Sequence, residues 1–317
     1  MTRAGATGIA LLLVALVAPW FAYPVFLMTA LCFALFAGAF NLLLGYAGLM
    51  SFGHAMFFGA AAYAYGHAVK EWAWPPEAGI LAGVAVAAVL GLISGGLAIR
   101  RQGIYFAMIT LALSQMIYFF CIQLPFTHGE DGLQGIPRRA LLGGLVETTN
   151  DYTLYYVVLL IVVFGLFAIN RIVHSPFGHV LKAIRENEPR AVSLGYNIAR
   201  YKLTAFVLSA MMAGLAGATK AMVLQFATLH DVSAAMSGDV VLMALVGGIG
   251  TMLGPVVGAF VIVGMQNFLA TAGELLMVIQ GAIFVVLVLA FRKGIVGEIA
   301  SRTKARGKSN AAALPGM

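Results

Sequence analysis

The chain has 317 residues, 62% of them apolar and only 10% charged, with a mean hydropathy of +0.95 and a formal net charge of +7. A soluble domain carries about 25% charged residues, so this chain cannot cover a water-facing surface and belongs in a lipid bilayer. Its apolar runs are continuous rather than alternating, which argues against a β-barrel. Cys32 and Cys121 lie within those runs and supply neither a disulfide framework nor a metal cluster.

Crossing the hydrocarbon takes about 20 apolar residues, fewer where a segment is broken or buried in protein. On that measure ten spans are expected: 8–23, 25–44, 51–69, 78–98, 103–124, 153–170, 203–224, 239–248, 252–272 and 275–291. The glycine-rich run Gly247-Gly248-Ile249-Gly250-Thr251 divides the eighth span from the ninth. Arg3 followed by an apolar run has the look of a signal peptide. Pro19 follows Ala18, however, and no small-x-small site precedes it, so a retained first span is expected. With the N-terminus inside, fifteen of the nineteen Lys and Arg residues fall on the cytoplasmic side, leaving Lys70, Arg138, Arg139 and Lys220 towards the other. That asymmetry meets the positive-inside rule, and shifting one span would destroy it. It also accounts for the net charge without a nucleic-acid partner. The expected fold is therefore an all-α polytopic membrane protein of about ten helices, some short or broken, with both termini inside. The transmembrane domain covers 1–300, and 301–317 forms a basic, disordered tail.

Residues 171–202 form a charged island holding six of the cations. Ser175-Pro176 is a helix start, Ser capping the free amides and Pro suiting the first helical position. Val180, Leu181 and Ile184 share one face, with Lys182, Arg185 and Glu186 turned away. Pro189 cannot continue that helix but can open a second, with Asn187 or Glu188 near its cap and Gly195 ending it in a left-handed conformation. Two short helices lying at the membrane surface are expected. That pattern suits an interfacial connector held by anionic lipid or an amphipathic helix set into a partner's groove.

Elsewhere, Gly91-x-x-x-Gly95 and Gly254-x-x-x-Gly258 offer small-residue packing faces. His54, Gln115, Lys220, Gln225, Gln266, Asn267 and Gln280 are polar groups in or near spans, for which interhelical hydrogen bonding or snorkelling is the plain reading. All the acidic residues fall in loops or at expected span ends, with Asp239 placed to favour the positive end of its helix. A carrier coupled to protons typically keeps a relay deep in the bilayer, so an external energy source is expected. Gly307-Lys308-Ser309 is no phosphate loop, because the position that needs glycine is Arg302. No nucleophile–base pair, zinc spacing or dinucleotide fingerprint is present, so no catalytic, cofactor or metal residues are assigned.

Four ordered blocks carry a family resemblance. They are Asn41-Leu42-Leu43-Leu44-Gly45-Tyr46-Ala47-Gly48 with Ser51-Phe52-Gly53-His54; Thr127-His128-Gly129-Glu130-Asp131-Gly132-Leu133; the island from Ser175-Pro176-Phe177-Gly178 to Leu194-Gly195; and Gly247–Thr251 with Gly254-Pro255 and Gly258-Ala259. Together they resemble the permease subunits of ABC transporters for branched-chain amino acids, in the LivM-like branch. The second block departs from the family pattern by carrying His128 where a glycine is usual. The resemblance implies a bacterial inner-membrane importer in which this chain pairs with a second, homologous permease. Two cytoplasmic P-loop ATPase subunits bind the loops, and a periplasmic binding protein delivers the solute. It places the ATPase-coupling contacts on Lys182, Arg185, Glu186, Asn187, Glu188, Arg190 and Gly195, and it puts ATP hydrolysis in the separate subunits. Branched-chain amino acids are therefore the expected substrate, with urea, short amides, other amino acids or another small solute, which related permeases handle, as the alternative.

Overall fold

The computed structural model describes residues 13–144, 146–269, 275–290 and 294–298. The expected tail 301–317, the start of the first span and the turn between the last two spans lie outside these residues.

The helices follow the apolar runs. They are α1 (Pro24–Asn41), which continues as a π-helical turn (Leu42–Ala47), α2 (His54–Lys70), α3 (Pro76–Ala98), α4 (Ile104–Gln123) and α5 (Asp151–Val173). The short α6 (Pro176–Glu186) and α7 (Glu188–Ser193) come next, then α8 (Ile198–Leu224), α9 (Ala234–Gly247), α10 (Gly254–Leu269) and α11 (Leu275–Ala290). Of the first expected span, 13–17 is helical and runs into a 3-10 turn, Ala18–Trp20. Among the described residues, five helices are long and apolar enough to cross a membrane: α1 with its π-turn, α3, α4, α5 and α8. The chain is a mostly helical, polytopic membrane protein.

α1 and α8 form the centre. The apolar stretch of α1 is 89% buried and that of α8 is 67% buried, against about a third for α3, α4 and α5. α8 can sit there because its buried face is small: Ala205, Ala210, Ala213, Gly214, Gly217 and Ala221 let neighbouring backbones close in. The Gly91/Gly95 face of α3 packs on it as expected, with Ala210 and Phe206 filling the space that side chains at those glycines would need. The Gly254/Gly258 face does the same for α9 and α10. A Cβ on Gly258 would overlap the carbonyl oxygen of Met243. The outward sides of the peripheral helices are hydrocarbon, with Leu81, Val89, Leu92 and Ile93 exposed on α3, Met108 and Phe119 on α4, and Leu160, Phe164 and Phe167 on α5.

At the end of the bundle opposite α6 and α7, the loop after α4 lies over the helix ends. Leu133–Gln134 (β1) pairs antiparallel with Phe226–Ala227 (β2). The cations there are all engaged. Arg138 bridges Asp151 at 2.7 Å and the Val223 carbonyl at 2.9 Å, Arg139 donates to the Ala73 carbonyl, and Lys70 donates to the Gln134 carbonyl. His128 takes φ 59°, which explains why a glycine suits that position.

Candidate functional site

The island folds as its local chemistry dictates. Ser175 caps α6, accepting from the Gly178 amide at 3.3 Å, and Pro176 opens it. Asn187 ends α6 and caps α7, accepting from the Arg190 amide at 3.0 Å. Gly195, at φ 84°, closes α7 with two backbone bonds, its own amide to the Val192 carbonyl and the Tyr196 amide to the Ala191 carbonyl. Leu181 and Ile184 are buried, and Phe177 stacks on Tyr201 of α8 at 5.5 Å.

The charged side chains of α6 bear on the chain's own first glycine-rich block, beyond what the amphipathic pattern indicates. Arg185 donates through Nη1 to the Gly45 carbonyl, and its aliphatic stem lies against Gly48, whose φ of 72° suits the absence of a side chain. The Lys182 ammonium sits 5.4 Å from the centre of the Tyr46 ring, a cation–π contact. Glu188 pairs with Lys202 of α8 at 2.8 Å and accepts from Gln102, in the α3–α4 connection, at 2.7 Å. Glu186 and Arg190 are exposed. A pocket of about 420 Å³ opens between Gly45, Tyr46, Lys182, Arg185, Glu186 and Gly250.

Beneath that pocket, Asn41 joins the first and last blocks. Its side-chain amide donates to the Thr251 carbonyl at 2.9 Å, and its oxygen accepts from the Gly250 amide at 2.8 Å. Both backbone groups lie where α9 has ended and α10 has not begun, so the asparagine satisfies polar groups that a chain break in the bilayer would otherwise strand. Gln102 is a structural partner of the site that the sequence did not single out, and the roles of Asn41 and Lys202, which stood in the first block and at the end of the island, were not visible there. The available signal was a lone polar residue at the end of the apolar run leading to Gly45.

A second set of polar groups lies deeper. His54 is fully buried, its Nε2 2.8 Å from Ser209 Oγ, which donates to the Ala39 carbonyl. Ser209 is eleven residues into α8, about 16 Å along its axis. α2 therefore starts at mid-depth, after an irregular stretch over 48–53. Lys220 is neither free nor snorkelling, because it holds both carboxylate oxygens of buried Asp231 at 2.6 and 2.7 Å. Gln225 stands exposed at the end of α8 at φ 62°. Asp239 corrects the expectation of a helix-start carboxylate. α9 begins five residues earlier, at Ala234, so Asp239 lies inside the helix, where Gln266 of α10 and Gln280 of α11 donate to its two oxygens at 3.1 and 3.2 Å. Its neighbour on the helix, Ser237, accepts from the amide of Ala55 at the start of α2, which puts Asp239 at mid-depth too. The expectation that every carboxylate lies in a loop or at a span end is thus overturned.

Fold and site define a polytopic helical membrane protein with a surface helix pair locked onto glycine-rich chain breaks. The chain belongs to the family described as branched-chain amino acid transport system / permease component, whose profile matches residues 4–288. It is 28% identical to the high-affinity branched-chain amino acid transport system permease protein LivM of Escherichia coli (strain K12), over 81% of this chain and 65% of that protein. It thus spans just under two thirds of that relative's length. It is also 28% identical to the L-arabinose ABC transporter permease protein AraH of Azospirillum brasilense, over 60% of this chain and 55% of that one. The xylose transport system permease protein XylH of Escherichia coli (strain K12) is 28% identical over 46% of this chain and 38% of its own. No solved structure matches.

Proposed function

We propose that this chain is a transmembrane permease subunit of an ATP-driven importer for branched-chain amino acids. It works with a second, homologous permease, two cytoplasmic P-loop ATPases and a periplasmic binding protein. It crosses the bacterial cytoplasmic membrane ten times with both termini inside, and carries no ATPase activity of its own. The observation that carries this reading is the family match, joined to the way the α6–α7 pair is tied to the membrane domain. Lys182 and Arg185 grip the turn that ends α1, while Glu188 grips α8 and the α3–α4 connection. An ATPase that pushes on the exposed faces of Glu186, Asn187 and Arg190 would therefore move the ends of the two central helices together. Access of the passage would alternate as those ends shift.

The branched-chain substrate follows the LivM relatives, and the arabinose and xylose permeases supply the alternatives. The test is uptake by the complete complex in proteoliposomes, with leucine, isoleucine and valine set against xylose and arabinose. ATP-dependent uptake of the amino acids supports the assignment. Preference for a sugar would keep the importer and change its cargo. Uptake by this chain alone under an ion gradient, without ATP, would replace the importer with a secondary carrier.

A further inference from the structure

Asp239 holds a carboxylate at mid-depth of the bundle, and its partners among the described residues are two neutral amides. A carboxylate offers about four lone-pair sites, so two donors leave it half satisfied. Among the described residues, no Lys or Arg side chain bonds to it. An ionisable side chain at such depth is costly and faces a cavity or another protein rather than lipid. The exposed side chains of α3, α4 and α5 at comparable depth are hydrocarbon, as lipid requires.

One of the two amides leads to a cavity. Gln266 also lines a pocket of about 590 Å³ between α1 and α10, walled by Tyr23, Phe26, Phe33, Val263 and Asn267. The pocket lies towards the end of the bundle opposite α6 and α7, near the start of α1 and the end of α10. Its walls are mainly apolar and aromatic, with two carboxamides and the hydroxyls of Tyr23 and Thr29 among them, Thr29 already donating to the Val25 carbonyl, and its volume falls in the range of small-molecule sites. Largely hydrocarbon walls, two amide donors and a neighbouring carboxylate with unfilled acceptor capacity match an apolar zwitterion, whereas a sugar would need polar partners on more sides than Tyr23, Thr29 and the two amides supply.

We propose that this pocket is a solute site on the passage side of the chain, and that Asp239, reached past Gln266, receives the solute's ammonium group. Asn267 and Gln266 offer donors to the solute's carboxylate, and Phe26, Phe33 and Val263 cover its aliphatic side chain. α1, α9, α10 and α11 then form the face that the second permease completes. The inference rests on the importer reading above.

The test uses the complete complex in liposomes and leucine as the probe. Asp239→Asn keeps the shape and removes the charge. It should lower leucine uptake at subsaturating concentration by about tenfold or more, the loss expected for one charge-assisted hydrogen bond. Asp239→Glu should recover part of that. A second arm places Ala22→Cys, on the exposed rim of the pocket and without a proposed contact to the solute, in the complex and labels it with a membrane-impermeant maleimide, Cys32 and Cys121 both being buried. Leucine should slow the labelling. If Asp239→Asn disrupts assembly, this second arm decides the matter alone. Uptake within twofold of the parent, or labelling indifferent to leucine, overturns the site and leaves the importer standing. If the parent complex shows no ATP-driven uptake of leucine, the branched-chain reading fails and the site falls with it, whatever other cargo the complex carries.

Discussion

Lys220 is 5% exposed and Asp231 is 1% exposed, so neither would tolerate the other's removal. The ammonium also sits 5.0 Å from the centre of the Phe226 ring, and Asp231 in turn accepts from the amide and hydroxyl of Thr228. Lys220→Met would strand the buried carboxylate and should cost about 3–5 kcal/mol, read as a lowered thermal midpoint in detergent. Lys220→Met with Asp231→Leu should recover most of that loss, because replacing both charges removes the uncompensated one. Little of this was legible in the sequence. The two residues stand eleven apart and meet only because the chain reverses through β2. Asp239 was misplaced for a related reason. Ala234-Ala235-Met236-Ser237-Gly238 has too little hydrophobicity to extend an apolar run, yet Ser233 caps a helix that includes it.

The α6–α7 element was far more readable, because its determinants are local. Ser175, Pro176, Asn187 and Gly195 each act on backbone groups within a few positions, so residue type and spacing suffice. What the pattern could not give was where the cations reach. Arg185 and Gly45 are 140 residues apart, and an amphipathic face distinguishes buried from exposed without naming the contact. Glu188 poses the sharpest test at this scale. Glu188→Lys should set the cation against Lys202 and weaken the anchoring of α7 by about 1.5–3 kcal/mol, read as a fall in substrate-stimulated ATP hydrolysis by the complex. The exchange Glu188→Lys with Lys202→Glu restores an ion pair with its polarity reversed. Recovery of hydrolysis would assign Glu188 to holding its own chain together. Failure to recover would assign it to the ATPase surface.

For the molecule as a whole, the ordering of apolar and basic segments carried most of the information, since hydrocarbon thickness and charge asymmetry are constraints on length and composition alone. The packing order was not legible. That α1 and α8 would lie innermost depends on which helices meet, and α3 is as apolar as either while being mostly exposed. The proposed topology has a direct test in single cysteines. In intact cells Thr149→Cys should react with an impermeant reagent, and Ser193→Cys should react only after the membrane is opened. The reverse result would invert the orientation and move α6 and α7 outside.

Asn41 also sets an order of events during synthesis. Its partners at Gly250 and Thr251 are 209 and 210 residues further along the chain. At about 5–20 residues per second, roughly 10–40 s separates their emergence from the ribosome. Through that interval the end of α1 carries a side chain whose final partners do not yet exist. The two central breaks can therefore be sealed only when the segment between α9 and α10 arrives. Biogenesis ends where the first block waits for the last, and a nascent chain stopped short of Gly250 would hold most of its helices in the membrane with its centre still open.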